Sequence, residues 1–317
     1  MTGARGAWME AEIREQPGLL AGVAEAYFAQ ASEALGGVEP ELVLLIARGS
    51  SDHAALYARY LIEVHLGIPA MLAAPSVWTK FGKRPRYPRS LAIGISQSGA
   101  APDVAEVLQA MRDDGHATLA ITNTADSRIT RAAANTLLLE VGLERSIAAT
   151  KTFSASLLAL YQAVRALGAP LPLPETPDEA WLAKCERSAV DQMGPIVRCS
   201  PLFALARGFD FATAHETALK LMECALLPCK AYSTSDFEHG PKALAGPQTA
   251  AIVYGTGAPS LASQGCSIVS PPDCPASAEL RPLWDVLFGQ WLALHVARAR
   301  GLDPDHAPNL QKVTETR

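Results

Sequence analysis

Apolar and polar residues come in blocks along this chain. LVLLIA (42–47) and LAIGI (91–95) are short apolar runs, each followed by a small polar stretch and then by helical spacing. Continuous apolar runs of this length, bounded by Gly and Pro, predict strands buried on both faces of a parallel sheet. The pattern predicts strands at 42–47, 70–74, 91–96, 117–122 and 136–140, and helices at 19–35, 51–66, 76–81, 101–114, 127–133 and 147–167. After a Pro-rich stretch, APLPLPETP (169–177), a helix over 178–193 leads into a second round. Strands at 201–206, 229–232, 249–254 and 267–269 accompany helices at 211–227 and 281–300. Alternating strands and helices imply βαβ units with right-handed crossovers.

The two rounds read as one design used twice, since 42–51 and 202–209 are both an apolar strand followed by Arg-Gly. The second is shorter, because TGAPSLASQ between Gly255 and Gly265 is too little for a full crossover helix. Domain boundaries are expected at 1–34 (helical lead), 35–168, 169–193 (linker and helix), 194–300 and 301–317 (tail).

Composition narrows the partners. At 49% hydrophobic and 19% charged residues the chain is an ordinary globular one, and a net charge of −5 gives no footprint for nucleic acid. No apolar run reaches membrane-spanning length, and the first residues lack the apolar core of a signal peptide, so a cytoplasmic location is expected. The six cysteines form no CxxC pair and read as reduced thiols, and no His/Cys spacing suits a metal. Neither a metal nor a cofactor is expected.

Ligands of open parallel sheets bind beyond the carboxyl ends of the strands. That rim carries Gly49-Ser50-Ser51, Ser96-Gln97-Ser98 and Thr122-Asn123. Two hydroxyl loops, each at a helix N-terminus, suit an anion. Neither is a Walker A or GxGxxG loop, and Arg48 is the one cation in them, which favours a phosphomonoester over a nucleotide. In the second round, Glu216, Lys220 and Glu223 share a face of an otherwise apolar helix. They read either as a solvated salt-bridge row or as a charged stripe in a cleft. His239 sits in a Gly/Pro-stiffened loop, and Lys312 lies in a polar tail whose bland reading is fraying.

The residues quoted so far, with EIREQP (12–17), ARGSSDHAALYARYLIE (47–63), ISQSGAAPDV (95–104), GLERSIAATKTF (142–153), ARGFDFATAHETALKLMECA (206–225), FEHGPKAL (237–244) and GLDPDHAPNLQKVTE (301–315), resemble the sugar isomerase (SIS) family. The chain is similar to the isomerase half of glutamine–fructose-6-phosphate aminotransferases, and more so to isomerase-type glucosamine-6-phosphate deaminases. The resemblance implies an α/β fold of two tandem SIS domains, each a parallel sheet flanked by helices in a flavodoxin-like three-layer sandwich. It implies that Ser50, Ser51, Ser96, Gln97 and Ser98 hold the sugar phosphate. Glu223 would move a proton between C1 and C2 with Lys220 in support. His239 would assist ring opening, from the partner subunit of a homodimer. Lys312 would form an imine with the open-chain ketose. Ile147 and Glu144 would lie on a loop touching the sugar. Ala101 stands where the family has Ser or Thr, so one phosphate-facing hydroxyl is missing.

The expected reaction is conversion of glucosamine 6-phosphate and water to fructose 6-phosphate and ammonia. The chain shows no glutaminase domain and no Cys near its start, so it is expected not to draw nitrogen from glutamine. The alternatives are a deaminase, deglycase or isomerase for another amino sugar phosphate, and a non-catalytic sugar-phosphate-binding regulator. The short N-terminal lead has no DNA-binding helix-turn-helix, which weighs against the regulator.

Overall fold

The computed structural model describes residues 4–257 and 260–312. Within them lie strands β1 (Leu42–Ile46), β2 (Ala70–Leu72), β3 (Ser90–Ile95), β4 (Ala117–Thr122), β5 (Asn135–Leu138), β6 (Leu202–Ala206), β7 (Cys229–Ser233), β8 (Ala250–Val253) and β9 (Ser267–Val269). Helices are α1 (Ala7–Arg14), α2 (Gln16–Leu35), α3 (Ser50–His65), α4 (Ser76–Thr79), α5 (Pro102–Asp113), α6 (Arg128–Ala132), α7 (Lys151–Ala166), α8 (Glu179–Arg198), α9 (Phe211–Ala225), α10 (Thr234–Glu238), α11 (Ser260–Ser263) and α12 (Arg281–Ala299).

The chain divides into two compact units. One takes in Leu19–Leu143 and Thr152–Pro174, the other the described parts of Met1–Gly18, Glu144–Lys151 and Glu175–Lys312. This division does not follow chain order as the expected domain boundaries do, because α1 and the 144–151 segment pack with the later residues.

The five-stranded unit has sheet order β2-β1-β3-β4-β5, all parallel. Every residue of β1 and β3 is buried, as continuous apolar strands covered on both faces must be. Register aligns Ile46 with Gly94 and Ile95 with Ile121, so the loops after β1, β3 and β4 leave the sheet along one edge.

The four-stranded unit has order β7-β6-β8-β9, also parallel. Relative to the central strand this repeats β2-β1-β3-β4. Its crossover between β8 and β9 contains only the four-residue α11, as the short TGAPSLASQ stretch requires; residues 258–259 of that stretch lie outside the described residues. The apolar helix α12 is buried nearly throughout. It approaches α9 so closely that a Cβ at Gly289 would lie 2.2 Å from Thr217 Oγ1.

Three local expectations need correction. Residues 7–14, in the part of the helical lead for which no helix is expected, form α1. Its N-cap Gly6 offers no side-chain cap, and the tail supplies the acceptors instead. Asp303 Oδ1 accepts the Gly6 N–H at 2.7 Å, and Asp305 accepts those of Trp8 and Met9 at 2.7 and 3.0 Å. Helix α7 starts at Lys151 rather than Ile147, since residues 144–150 are bound by long-range hydrogen bonds described below. Helix α8 runs to Arg198 and not to residue 193, with Pro195 accommodated in its last turn. Elsewhere local capping holds: Asp178 accepts the Trp181 N–H at 2.8 Å, and Ser127 and Thr130 close a capping box on α6.

Candidate functional site

In the five-stranded unit the loop after β3 is fixed by its backbone. Gly99 N–H donates to Ser96 O at 3.1 Å, and Gln97 O accepts from Asn123 N–H at 3.1 Å and Thr122 Oγ1 at 3.2 Å. Gly99 has φ 65°, and a Cβ there would meet Ser127 Oγ at 2.2 Å, so the turn requires glycine. Ser98 Oγ accepts from Ala100 N–H at 3.3 Å. The hydroxyls of Ser51 and Ser96 and the Gln97 amide show no hydrogen bond among the described residues. The backbone is thus pinned while these side chains remain available to an anion.

Ser50 opens α3 and Ser51 follows it, both half-buried on the adjacent strand end. Arg48 is committed elsewhere: its Nε lies 2.6 Å from the buried Asp103 carboxylate in the first turn of α5. Hydroxyls and amides are therefore what the rim offers. Ala101 is the N-cap of α5, and it provides no side-chain cap. A hydroxyl at this position would cap the helix. Thr122 and Asn123 are structural; Asn123 accepts the Val141 N–H and donates to Gly142 O, at 3.1 and 2.7 Å.

In the four-stranded unit, helical spacing on α9 places Glu216, Lys220 and Glu223 together. Lys220 Nζ lies 3.3 Å from Glu216 Oε1 and 2.5 Å from Glu223 Oε2. Glu216 and Lys220 are fully buried, and the Glu223 side chain is 24% exposed. The row is therefore a buried one, not a solvated one. Burial alone pushes the Lys220 pKa down. The two carboxylates outweigh this and hold it above its usual value, so the ammonium persists. The result is a fixed cation behind one partly accessible carboxylate, an arrangement suited to taking up and returning a proton.

A second charged cluster in this unit was not visible as such in the sequence. Lys312 Nζ lies 2.6 Å from Glu144 Oε2, and Glu144 Oε1 accepts the Thr150 N–H at 2.9 Å. Glu12 of α1 accepts the backbone N–H groups of Arg145 and Ser146. Burial, with the Glu144 carboxylate adding to it, pushes the Glu12 pKa up to about 7. Glu15 pairs with Lys151 at 2.7 Å, and Gln290 joins Gln16 (2.7 Å) to Thr150 O (3.2 Å). The EIREQP motif thus fastens the 144–151 segment, which carries Ile147 half-buried in irregular backbone. Glu12 and Gln16 were signalled in the sequence by the EIREQP motif but without a role, and Gln290 only as a polar residue interrupting an apolar helix.

Lys312 is anchored rather than frayed, while residues 313–317 of the tail lie outside the described residues. His239 is the C-cap of α10 and exposed. Among the described residues no hydrogen bond or ion pair joins it to Lys220 or Glu223. The structure therefore brings together two of the sequence-derived groups, Lys220 with Glu223 and Lys312 with Glu144, and His239 is bonded to neither pair among the described residues. The six cysteines are free, no described helix is long and apolar enough to cross a membrane, and no described His/Cys/Asp/Glu group could hold a metal.

Residues 39–166, which contain all five strands of the first sheet, match the SIS domain family. Over 96% of its length the chain is 31% identical to a glutamine–fructose-6-phosphate aminotransferase (isomerizing) of Methanothermobacter thermautotrophicus, and it spans 57% of that relative's length. Among solved structures, the C-terminal domain of glucosamine-fructose-6-phosphate aminotransferase from Francisella tularensis is 20% identical with a TM-score of 0.80, covering 94% of this chain and 98% of its own. A glucosamine-6-phosphate deaminase from Thermotoga maritima is 24% identical with a TM-score of 0.81, covering 98% of this chain and 100% of its own. These two likenesses show a shared fold.

Proposed function

We propose that the protein isomerises and deaminates an amino sugar phosphate, converting glucosamine 6-phosphate and water to fructose 6-phosphate and ammonia. One observation carries the reading: Lys220 is buried between Glu216 and Glu223, with Glu223 alone reaching solvent. An exposed salt-bridge row would have no catalytic implication; a buried cation behind an accessible carboxylate is costly to the fold and suits proton transfer. The similarity to aminotransferases described as isomerizing supports the aldose–ketose part. The tandem SIS reading belongs to the same proposal, supported by the matching strand order of the two sheets.

In this scheme Ser50, Ser51, Ser96, Gln97 and Ser98 bind the phosphate, which supplies orientation and remote binding energy. His239 assists ring opening. Because it is exposed and makes no hydrogen bond or ion pair to Lys220 or Glu223 among the described residues, we assign it to the neighbouring subunit of a homodimer. Glu223 removes the proton at C2 and returns one to C1, generating a C2 imine from the amino sugar. Lys220 stabilises the carboxylate and the enediol-like charge. The Lys312 amine adds at C2 and ammonia leaves; water then cleaves the lysine imine and frees the ketose. Lys312 must first pass its proton on, and Glu144 is the carboxylate in contact with it. A cytoplasmic site of action fits this substrate class.

Purified protein is expected to release ammonia and fructose 6-phosphate in equal amounts from glucosamine 6-phosphate. Glu223→Gln should lower kcat by about 10²- to 10⁴-fold with KM little changed. No ammonia from a folded protein sinks the deaminase reading. Ketose phosphate formed without ammonia, from a sugar phosphate lacking nitrogen, would make it a plain isomerase.

A further inference from the structure

The four-stranded sheet has its own cavity at its carboxyl edge, of about 520 Å³. It is lined by the loops after β6 (Arg207), β8 (Tyr254–Thr256) and β9 (Ser270), together with Asp210, Arg281 and Asp285. By strand order β6, β8 and β9 correspond to β1, β3 and β4, so the cavity occupies the edge position that the serine loops occupy in the other sheet.

Its polar groups are unevenly matched. Arg281 Nε is held by Asp210 at 3.0 Å. Asp285 is 1% exposed; the Cys274 thiol of the same cavity is its neighbour on the carboxyl, yet Oδ1 has no hydrogen-bond partner. A buried carboxyl oxygen left in this state costs stability unless something donates to it. Burial, with the Asp210 carboxylate adding to it, pushes the Asp285 pKa up to about 8, so the group is mostly uncharged at neutral pH and suits a hydroxyl partner better than it demands a cation. At the rim, Arg207 is exposed and shows no ion pair among the described residues, unlike its counterpart Arg48, which is held by Asp103. Tyr254 is the aromatic residue of the lining. It is buried with its hydroxyl 2.6 Å from that of Thr217, so it offers no open ring face to a nucleobase.

We propose that this cavity is a second ligand site, which takes a small phosphorylated polyhydroxy compound. Its phosphate meets Arg207, and a sugar hydroxyl donates to Asp285 Oδ1. The site is separate from the chemistry proposed above and does not depend on it.

Calorimetric titration with fructose 6-phosphate tests the assignment. A Ser96→Ala/Ser98→Ala background suppresses the serine-loop site. That variant should still bind fructose 6-phosphate at one site per chain, and adding Arg207→Ala should weaken this binding at least tenfold. Arg207 is exposed and unpaired, so the substitution leaves the fold intact. Asp285→Asn, in the same background, should weaken binding several-fold while inorganic phosphate, already the weaker ligand, loses less. Absence of binding in the serine-loop variant, binding unchanged by Arg207→Ala, or inorganic phosphate binding as tightly as the sugar phosphate would each overturn the proposal. Turnover of glucosamine 6-phosphate by the wild-type protein and by Arg207→Ala alone, measured on the same preparations, separates the two readings. A protein without turnover that still titrates in the serine-loop variant loses the enzymatic reading and keeps the second site.

Discussion

The four-stranded unit contains two clusters of the same composition, each with one lysine and two glutamates. In the first, all three side chains come from one stretch of α9, residues 216–223, and Lys220 touches both carboxylates. In the second, Glu12, Glu144 and Lys312 come from three distant segments, and of the two carboxylates Lys312 pairs with that of Glu144 among the described residues. The consequences for protonation are opposite. Lys220 is held charged by two partners. In the other cluster the lysine's charge is spent on Glu144, and Glu12, buried without a direct cation, is pushed up to about 7. Three groups of equal formal charge thus yield a fixed ion in one place and a titrating group in the other, because contact and burial decide the outcome.

The largest expected effect breaks the first cluster. Lys220→Met leaves Glu216 buried without its cation and should cost about 3–5 kcal/mol of stability. Urea denaturation reads this, and adding Glu216→Gln should restore much of it. A Lys220→Met protein as stable as the wild type would show that the row is hydrated after all. The second cluster is tested next through its lysine. Borohydride reduction in the presence of fructose 6-phosphate should attach the sugar to Lys312, and Lys312→Arg should abolish the adduct. An adduct elsewhere, or none, removes Lys312 from the proposed chemistry.

A smaller effect sharpens the contrast in titration. Glu12 has a folded pKa of about 7 against an ordinary 4.5, so the folded state binds an extra proton between these values. Its contribution is complete below 4.5 and is lost as pH rises through about 7. Glu12→Gln cannot ionise, so its stability relative to wild type should improve over that interval by about 2 kcal/mol. A difference independent of pH would place Glu12 in water. The smallest effect concerns the serine loops, where Ala101→Ser should cap α5 and add one hydroxyl. It should lower KM roughly five-fold, the equivalent of one hydrogen bond of about 1 kcal/mol; an unchanged or raised KM would separate the cap from the phosphate.

Legibility in the sequence followed distance along the chain. The β3 loop could be located because strand, loop and helix are consecutive, and the α9 row because helical period puts its members on one face. Whether that row faced water was not readable, since α9 and α12 meet through Gly289 and Thr217, seventy-two positions apart by number. Helix α1 was missed because its cap acceptors, Asp303 and Asp305, are nearly the whole chain away. The start of α7 was misplaced for the same reason, with Glu12 and Gln290 satisfying backbone groups that a local reading would give to a helix.

By itself, then, the sequence determined the alternation of strands and helices, the parallel sheets, the serine loops at strand ends and the charged face of α9. These depend on period, capping and turn chemistry over fewer than about twenty residues. Tertiary structure alone decided that the α9 charges are buried, that Lys312 is anchored to Glu144, that His239 is exposed, and that Asp285 faces a cavity with one oxygen unmatched. Each of these depends on which groups exclude water from one another, and exclusion of water is settled only when segments far apart in the chain pack together.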